Sequence, residues 1–298
     1  MDRQFTLSCC STVDLPYAHL VEREIPVLFY TYVVDGQEYV DDMGRDPEAL
    51  PRFYRFLQEG KLPQTSQINV ATYMEFFEQQ LQKGDLLHIA FTSGQSGSVN
   101  NAYIAAETLR EKYPERKIQV IDSLCSSSGY GLLVDEAADL RDAGKSLEEV
   151  AQWVLENRNR VYHQFFSSDM TQFRRTGRVS GAAAMVATVL NICPIMRLND
   201  EGRIIAYDKV RGKKKAVAVT VKNMLEHAQS GADYAGRCYL CNSDCPEDAK
   251  LLTDAIEEAF PNLRGKIVQC DIGTIIGSHA GKGTVAVFFM GDERPHME

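Results

Sequence analysis

The sequence lacks the basic excess that marks proteins which bind nucleic acids generally. Its 298 residues contain 32 Lys and Arg against 41 Asp and Glu, which gives a net charge of −9 and a pI of about 5.3. A general nucleic-acid binder needs a basic face. We therefore expect no nucleic-acid partner.

Long hydrophobic runs are also missing. No continuous apolar stretch of signal-peptide length follows Met1. The longest uncharged run, from Val179 to Met196, is rich in Ala and contains Ser, Gly, Thr, Asn and Pro, so it indicates a buried helix followed by a strand rather than a membrane span. We expect a cytoplasmic protein without stable membrane insertion, whose eight cysteines stay free thiols.

What is present is the composition of an ordinary folded protein, with 44% hydrophobic and 24% charged residues. The length predicts about two domains. In the first half, strands that precede amphipathic helices are typical of a parallel sheet; we predict them at Phe5–Cys10, Leu86–Phe91 and Lys117–Ile121. An early hairpin, formed by Pro26–Val34 and Tyr39–Val40, is predicted to turn at Asp35-Gly36. Predicted helices cover Pro47–Glu59, Ala71–Gln82 with Asn69 as its cap, Ser98–Lys112 and Gly129–Asp142.

The second half has a different pattern. A strand opens at Val161–Phe166, and a hairpin joins Cys193–Leu198 to Arg203–Lys209. Further strands are predicted at Arg237–Cys241, Lys266–Cys270 and Thr284–Met290, and helices at Ala216–Gln229 and Pro246–Ala259. We therefore predict an α/β protein of two domains, a mostly parallel α/β domain over residues 1–160 and an α+β domain over residues 161–298, with a ligand site between them.

The segment 92–98, Thr-Ser-Gly-Gln-Ser-Gly-Ser, lies between a predicted strand and a predicted helix. Backbone N–H groups and hydroxyls at the start of a helix suit a carboxylate or phosphate. A plain turn with a Ser cap explains the same pattern. The spacing of Gly94, Ser96 and Gly97 does not match a nucleophile elbow, because the second glycine directly follows the serine.

A second glycine-rich segment, residues 277–284, is one residue too short between its glycines for a phosphate-binding loop and has Gly283 where Ser or Thr must follow Lys282. It also leads into a strand, so ATP binding by this chain is disfavoured. What remains is His279 in a predicted tight loop, where the small neighbours allow a ligand to approach.

Two further patterns are weaker. Cys238 and Cys241 have metal-ligand spacing, but on a strand they point to opposite faces, so we expect no metal site. Basic clusters at 174–178 and 211–215 are either solvated helix ends or a docking surface for an acidic partner.

Several motifs together, in order and over nearly the whole chain, resemble those of the DegV family. They are Ser11-Thr12-Val13-Asp14-Leu15, Thr65-Ser66-Gln67, the 92–98 segment, Arg175-Thr176-Gly177-Arg178-Val179-Ser180, Asn191-Ile192-Cys193-Pro194-Ile195 and the 277–283 segment. The chain departs from the family pattern at Gln95, Thr176 and Lys282, where the family has Leu, Gly and Pro.

The resemblance implies a long-chain fatty acid in an apolar tunnel between the domains, its carboxylate held by Thr65, Ser93 and His279. Supporting loop positions are Ser66, Gly94, Ser96 and Gly97, and the helix predicted over Ala182–Leu190 would form a tunnel wall. The family's characterised members are the fatty-acid-binding subunits of bacterial fatty acid kinase. The resemblance thus implies a separate kinase partner, for which Arg178 is the docking candidate, and no catalysis, cofactor or metal in this chain.

Two other functions stay open. One is an acyl hydrolase or transferase that uses Ser93 or Ser96 with His279. The other is a binding protein for a different amphiphile, because a fold does not fix its ligand.

Overall fold

A computed structural model describes residues 4–181 and 191–296. The helix predicted over Ala182–Leu190 lies outside these residues. The strands are β1 (Phe5–Cys10), β2 (Val27–Leu28), β3 (Thr31–Val34), β4 (Gln37–Val40), β5 (Gln64–Thr65), β6 (Asp85–Ala90), β7 (Ile118–Asp122), β8 (Val161–Ser167), β9 (Val179–Gly181), β10 (Ile192–Leu198), β11 (Ile204–Arg211), β12 (Cys238–Asn242), β13 (Val268–Asp271) and β14 (Thr284–Met290). The helices are α1 (Tyr17–Glu22), α2 (Ala49–Gln58), α3 (Val70–Leu81), α4 (Ser98–Lys112), α5 (Ser127–Asp142), α6 (Leu147–Asn157), α7 (Thr171–Thr176), α8 (Lys213–His227), α9 (Pro246–Ala259) and α10 (Thr274–Ala280).

The first half is built on a four-stranded sheet of order β2-β1-β6-β7 in which every pairing is parallel. Its strands are almost wholly buried, as expected where helices cover a parallel sheet on both faces. The predicted parallel α/β domain is therefore confirmed. Asn69 caps α3 as predicted, since its side chain accepts a hydrogen bond from Thr72 N.

The early hairpin forms a separate three-stranded sheet of order β4-β3-β5. Its turn residues Asp35 and Gly36 have φ angles of 52° and 82°, the left-handed pair that a tight hairpin turn requires. The prediction of one strand over Pro26–Val34 was wrong, because β2 pairs with β1 in the parallel sheet while β3 pairs with β4. This small sheet also holds β5, and with it Thr65.

The second half is built on a seven-stranded sheet of order β13-β12-β14-β8-β10-β11-β9. The predicted hairpin of β10 and β11 is present, and helices α8 and α9 lie on the side where the second hydrophobic core forms. Cys238 belongs to that core and Cys241 to the first one, so the two side chains lie on opposite faces of β12 as predicted. The boundary between residues 160 and 161 stays a prediction.

Two differences from the sequence analysis concern helices. Residues 274–280 form α10, so His279 lies in the last turn of a short helix and the predicted tight loop was wrong. Helices α1, α6 and α7 were not predicted, although α6 begins with a complete capping box formed by Ser146 and Glu149. Within the described ranges, no helix is both long and apolar enough to cross a membrane.

Candidate functional site

A cavity of about 380 Å³ lies between the two halves of the chain, because its walls come from residues 30–127 and from residues 163–288. One part of the wall is apolar; it includes Tyr30, Phe91, Phe165, Phe173, Leu198, Ile204, Ile275, Ile276 and Phe288. Another part is polar and contains the residues that the sequence analysis selected: Thr65, Ser66, Ser93, Gly94, Ser96, Gly97, Arg178 and His279. The cavity can therefore hold a molecule with an apolar body and a polar group.

Thr65 and His279 form the one direct bond within this polar set. β5 and α10 bring Thr65 Oγ1 to 2.9 Å from His279 Nε2, while His279 Nδ1 is buried and has no hydrogen-bond partner among the described residues. Burial, together with the charges of Arg178 and Arg175, lowers the pKa of His279 to about 4. At neutral pH the imidazole is uncharged, and it can donate a hydrogen bond through whichever nitrogen carries the proton.

The loop between β6 and α4 supplies Ser93, Gly94, Ser96 and Gly97. Thr92 Oγ1 accepts a hydrogen bond from Gly94 N (3.0 Å), and Ser96 Oγ accepts one from Ser98 N (3.3 Å), so hydroxyls define the shape of the loop. α4 begins after Gly97 without a side-chain cap. The plain Ser-cap interpretation of this segment is therefore not what the structure has.

A side chain on Gly94 would collide with the backbone of the β10–β11 turn, and one on Gly97 would make a tight contact with the side chain of Gln67. A Cβ on Gly94 would lie 2.5 Å from the carbonyl oxygen of Glu201 in the β10–β11 turn, and a Cβ on Gly97 would lie 3.0 Å from Gln67 Nε2. The loop thus packs closely against the second half of the chain and against the Thr65-Ser66-Gln67 segment.

Arg178 lies between α7 and β9, and its side chain is exposed. Its Nη1 donates to the carbonyl of Thr176, and its guanidinium forms no ion pair with the residues that the structure describes. Nearby, Arg175 Nη2 donates to Pro63 O (3.1 Å), which ties this basic segment to the strand that carries Thr65. A positive charge therefore stands at the polar part of the cavity.

The geometry does not assemble a serine-hydrolase triad among the described residues. His279 Nε2 bonds to Thr65 rather than to Ser93 or Ser96, and no carboxylate bonds to Nδ1. A triad needs the nucleophile bonded to the base and the base oriented by a third group.

Several polar residues that line the cavity were not selected as site residues from the sequence, although two of them, Gln67 and Gln95, lie in the motifs described above. They are Gln67, Gln95, Ser126, Ser127 and His163. Burial lowers the pKa of His163 well below its usual range, and its Nε2 accepts a hydrogen bond from Ser126 N (3.0 Å). A topological signal existed for the serines, because they follow β7, and the carboxyl ends of parallel strands are where α/β sheets bind ligands.

The structure has all eight cysteines as free thiols, as expected. The described residues contain no group of three or more His, Cys, Asp or Glu side chains that could hold a metal ion.

Comparisons with known proteins match this chain almost from end to end. The model of the DegV family of uncharacterised proteins matches residues 10–292. A DegV domain-containing protein of Clostridium perfringens is 36% identical over 294 residues, which cover 98% of this chain and 99% of the relative. A second DegV domain-containing protein, from Lactococcus lactis, is 32% identical over 288 residues, 95% of this chain and 96% of the relative.

Solved structures with the same fold include proteins described by their ligands. A fatty-acid-binding DegV family protein of Thermus thermophilus has a TM-score of 0.84 and 26% identity, covering 97% of this chain and 99% of that one. The fatty acid kinase B3 protein of Streptococcus pneumoniae, solved with linoleic acid, has a TM-score of 0.81 and 23% identity, covering 97% of this chain and 100% of that one.

Proposed function

The chain belongs to the DegV family, and on that premise we propose that it binds a long-chain fatty acid and presents the carboxylate to a separate ATP-dependent kinase. The observation that carries the proposal is the composition of the cavity wall. Apolar side chains and a cluster of hydroxyl and imidazole groups face the same 380 Å³ space. A fatty acid matches this wall, because it has an apolar tail and a polar carboxylate.

The apolar wall accounts for affinity. Each buried methylene contributes about 0.8 kcal/mol, so a long acyl chain supplies up to about 10 kcal/mol before ordering costs are deducted. Aromatic residues such as Phe165, Phe173 and Phe288 offer this surface. The proposed tunnel wall over Ala182–Leu190 lies outside the described residues.

The polar cluster accounts for how the carboxylate is held. A carboxylate placed alone against an apolar wall is unfavourable, so hydrogen-bond donors must meet it. We assign that contact to Thr65, Ser93 and His279. The loop positions Ser66, Gly94, Ser96 and Gly97 support them. Ser93 is exposed while Thr65 and His279 are partly buried, which suits a head group that a second protein must reach.

In the proposed reaction the chain itself forms and breaks no bond. A carboxylate oxygen of the bound acid attacks the γ-phosphorus of ATP held by the kinase, the bond from that phosphorus to the β–γ bridging oxygen breaks, and ADP leaves. The product is an acyl phosphate. The role of this chain is to fix the carboxylate in place and to shield the tail from water, without a cofactor of its own.

The kinase would meet the polar end of the cavity, where Arg178 is exposed and forms no ion pair with the described residues. We propose that its guanidinium pairs with a carboxylate of the kinase. The likeness to the pneumococcal fatty acid kinase B3 protein supports a partner of this kind. We also propose that the ligand lies between two domains, residues 1–160 and 161–298.

The test is organic extraction of the purified protein followed by mass spectrometry, and then incubation of the loaded protein with a fatty acid kinase and ATP. We expect a fatty acid at about one per chain and an acyl phosphate that hydroxylamine traps. Protein that carries no fatty acid and ignores added fatty acid would refute the proposal. Extraction of another amphiphile, or ester hydrolysis that depends on Ser93 or Ser96, would replace it with one of the two rival functions.

A further inference from the structure

Two buried carboxyl groups from the first half of the chain hold the first turn of α10. Asp14 Oδ1 accepts a hydrogen bond from Gly273 N (3.1 Å). Asp41 Oδ1 accepts two, from Thr274 N (3.1 Å) and from Thr274 Oγ1 (2.7 Å). A helix begins with backbone N–H groups that have no partner inside the helix. Here the partners come from a different part of the chain, more than two hundred residues away in sequence.

The same two side chains leave no room for anything but glycine before the helix. A Cβ on Gly273 would lie 2.6 Å from Asp14 Oδ1 and 3.3 Å from Asp41 Oδ1. Asp14 and Asp41 are 6% and 2% exposed, so the start of α10 is enclosed by carboxylate oxygens. The position of the helix is therefore set on the first half of the chain rather than on its own sheet.

The arrangement adds little to stability. Burial raises the pKa of Asp14, and the neighbouring charge of Asp41 raises it further; burial also raises the pKa of Asp41. Hydrogen bonds from Ser11 and Thr274 act against this rise in the pKa of Asp41. In the described part of the chain no cation forms an ion pair with either carboxyl. Buried charges without such a partner are costly, so their value to the protein lies in geometry.

Helix α10 connects these two carboxyl groups to the candidate site. The last turn of α10 carries His279, whose Nε2 lies 2.9 Å from Thr65 Oγ1. Asp14 also accepts a hydrogen bond from Ser127 Oγ, and Ser127 lines the same cavity. A shift of the first turn of a seven-residue helix moves its last turn as well.

We propose that Asp14 and Asp41 are positioning residues that hold α10 so that His279 meets Thr65 and the acyl carboxylate; this rests on the function proposed above. Neither carboxyl needs to touch the ligand. The consequence is specific: loss of this contact weakens recognition of the carboxylate and leaves binding of the tail unchanged.

The experiment compares a fatty acid with its alcohol, which has the same tail and no carboxylate. Dissociation constants for palmitic acid and cetyl alcohol are measured on protein stripped of bound lipid, for the wild type and for Asp41→Ala. In the variant, the dissociation constant for the acid should rise about tenfold, which is the effect of one charge-assisted hydrogen bond. The dissociation constant for the alcohol should change less than about twofold. The ¹³C shift of carboxyl-labelled palmitic acid should move in the variant.

Two further variants and a control complete the test. Asp41→Asn keeps an oxygen that can accept from Thr274, so it should restore the preference for the acid. Thr274→Val removes the 2.7 Å bond with little change in shape, and it should give a smaller loss selective for the acid, even if Asp41→Ala does not fold. Asp271→Asn is the control, because that carboxyl lines a neighbouring cavity with Asp14 and Asp41 but makes no hydrogen bond to α10.

Equal losses for acid and alcohol would mean a merely structural role and would overturn the inference. So would an unchanged ratio in folded Asp41→Ala or Thr274→Val. If the wild type binds the acid and the alcohol equally well, the protein has no site that recognises the carboxylate. That outcome refutes the proposed function directly and this inference with it.

Discussion

Replacement of Thr65 by valine tests the proposed head-group contact most directly. Valine has nearly the same shape as threonine, so Thr65→Val removes one hydroxyl and leaves β5 in place. The bound carboxylate then lacks one of the three donors assigned to it, whereas the loss of the bond to His279 Nε2 is common to the free and the bound protein. A buried polar group without a partner costs about 1–3 kcal/mol. The dissociation constant for a fatty acid should therefore rise about 5-fold to 150-fold, since about 1.4 kcal/mol corresponds to tenfold.

The loss of binding free energy in Thr65→Val can be compared with the contribution of the acyl tail. Because each methylene contributes about 0.8 kcal/mol, the substitution should weaken binding as much as shortening the acid by about one to four methylenes. Calorimetric titration with saturated acids of increasing length should give two parallel lines of binding free energy against length, one for the wild type and one for the variant. A parallel offset means that the head group alone has changed.

The matched control is Thr108→Val, an exposed threonine on α4 whose hydroxyl donates to the carbonyl of Ile104. It should bind fatty acids like the wild type. If Thr65→Val also did so, with acyl-phosphate formation intact, Thr65 would have no part in holding the carboxylate. Lines of different slope would show that the substitution had disturbed the tail site instead.

Three other predictions follow from the same structure. Ser93→Ala should reduce acyl-phosphate formation more than fatty acid binding, because the tail still anchors the ligand; equal reduction of both in parallel assays would contradict this. Arg178→Ala should lower kinase turnover with the loaded protein without lowering Tm, whereas a lower Tm with normal turnover would make the residue structural. Burial lowers the pKa of His88 to about 3, and the unfolded state takes up a proton as pH falls below about 6.5. Between about pH 6.5 and about pH 3, the free energy of unfolding of the wild type should therefore fall more steeply with decreasing pH than that of His88→Gln. The difference in slope is at most that of one proton, about 1.4 kcal/mol per pH unit. Equal slopes in urea unfolding would show that His88 does not contribute.

The regular elements were predictable because periodicity and turn residues determine them locally. Helix α4 and strand β14 have the predicted bounds, and the Asp35-Gly36 turn forms the expected hairpin. The split between β2 and β3 was not predictable, since it depends on which sheet each half of one apolar run joins. α10 was missed for a related reason: its first turn depends on carboxyl groups of Asp14 and Asp41, which are remote in sequence.

The candidate site shows the same division between local and remote information. Glycine and hydroxyl motifs, together with the family resemblance, were enough to select Thr65, Ser93 and His279, which line one cavity. The bond between Thr65 and His279, and the buried His163 behind the serines that follow β7, depend on how the two halves of the chain pack. Such contacts leave no periodic signal in the sequence.

The position of β14 in the second sheet has a consequence for synthesis of the protein on the ribosome. β14 pairs with both β12 and β8, so it joins the two parts of a seven-stranded sheet, yet it is translated after all of the other strands described. Until it emerges, β8 and β12 have unpaired edges, which are templates for aggregation. All four strands of the parallel sheet are translated before β8, whereas the seven-stranded sheet cannot close until β14 is made. A chain that stops before residue 284 would therefore leave β8 and β12 with unpaired edges that favour aggregation.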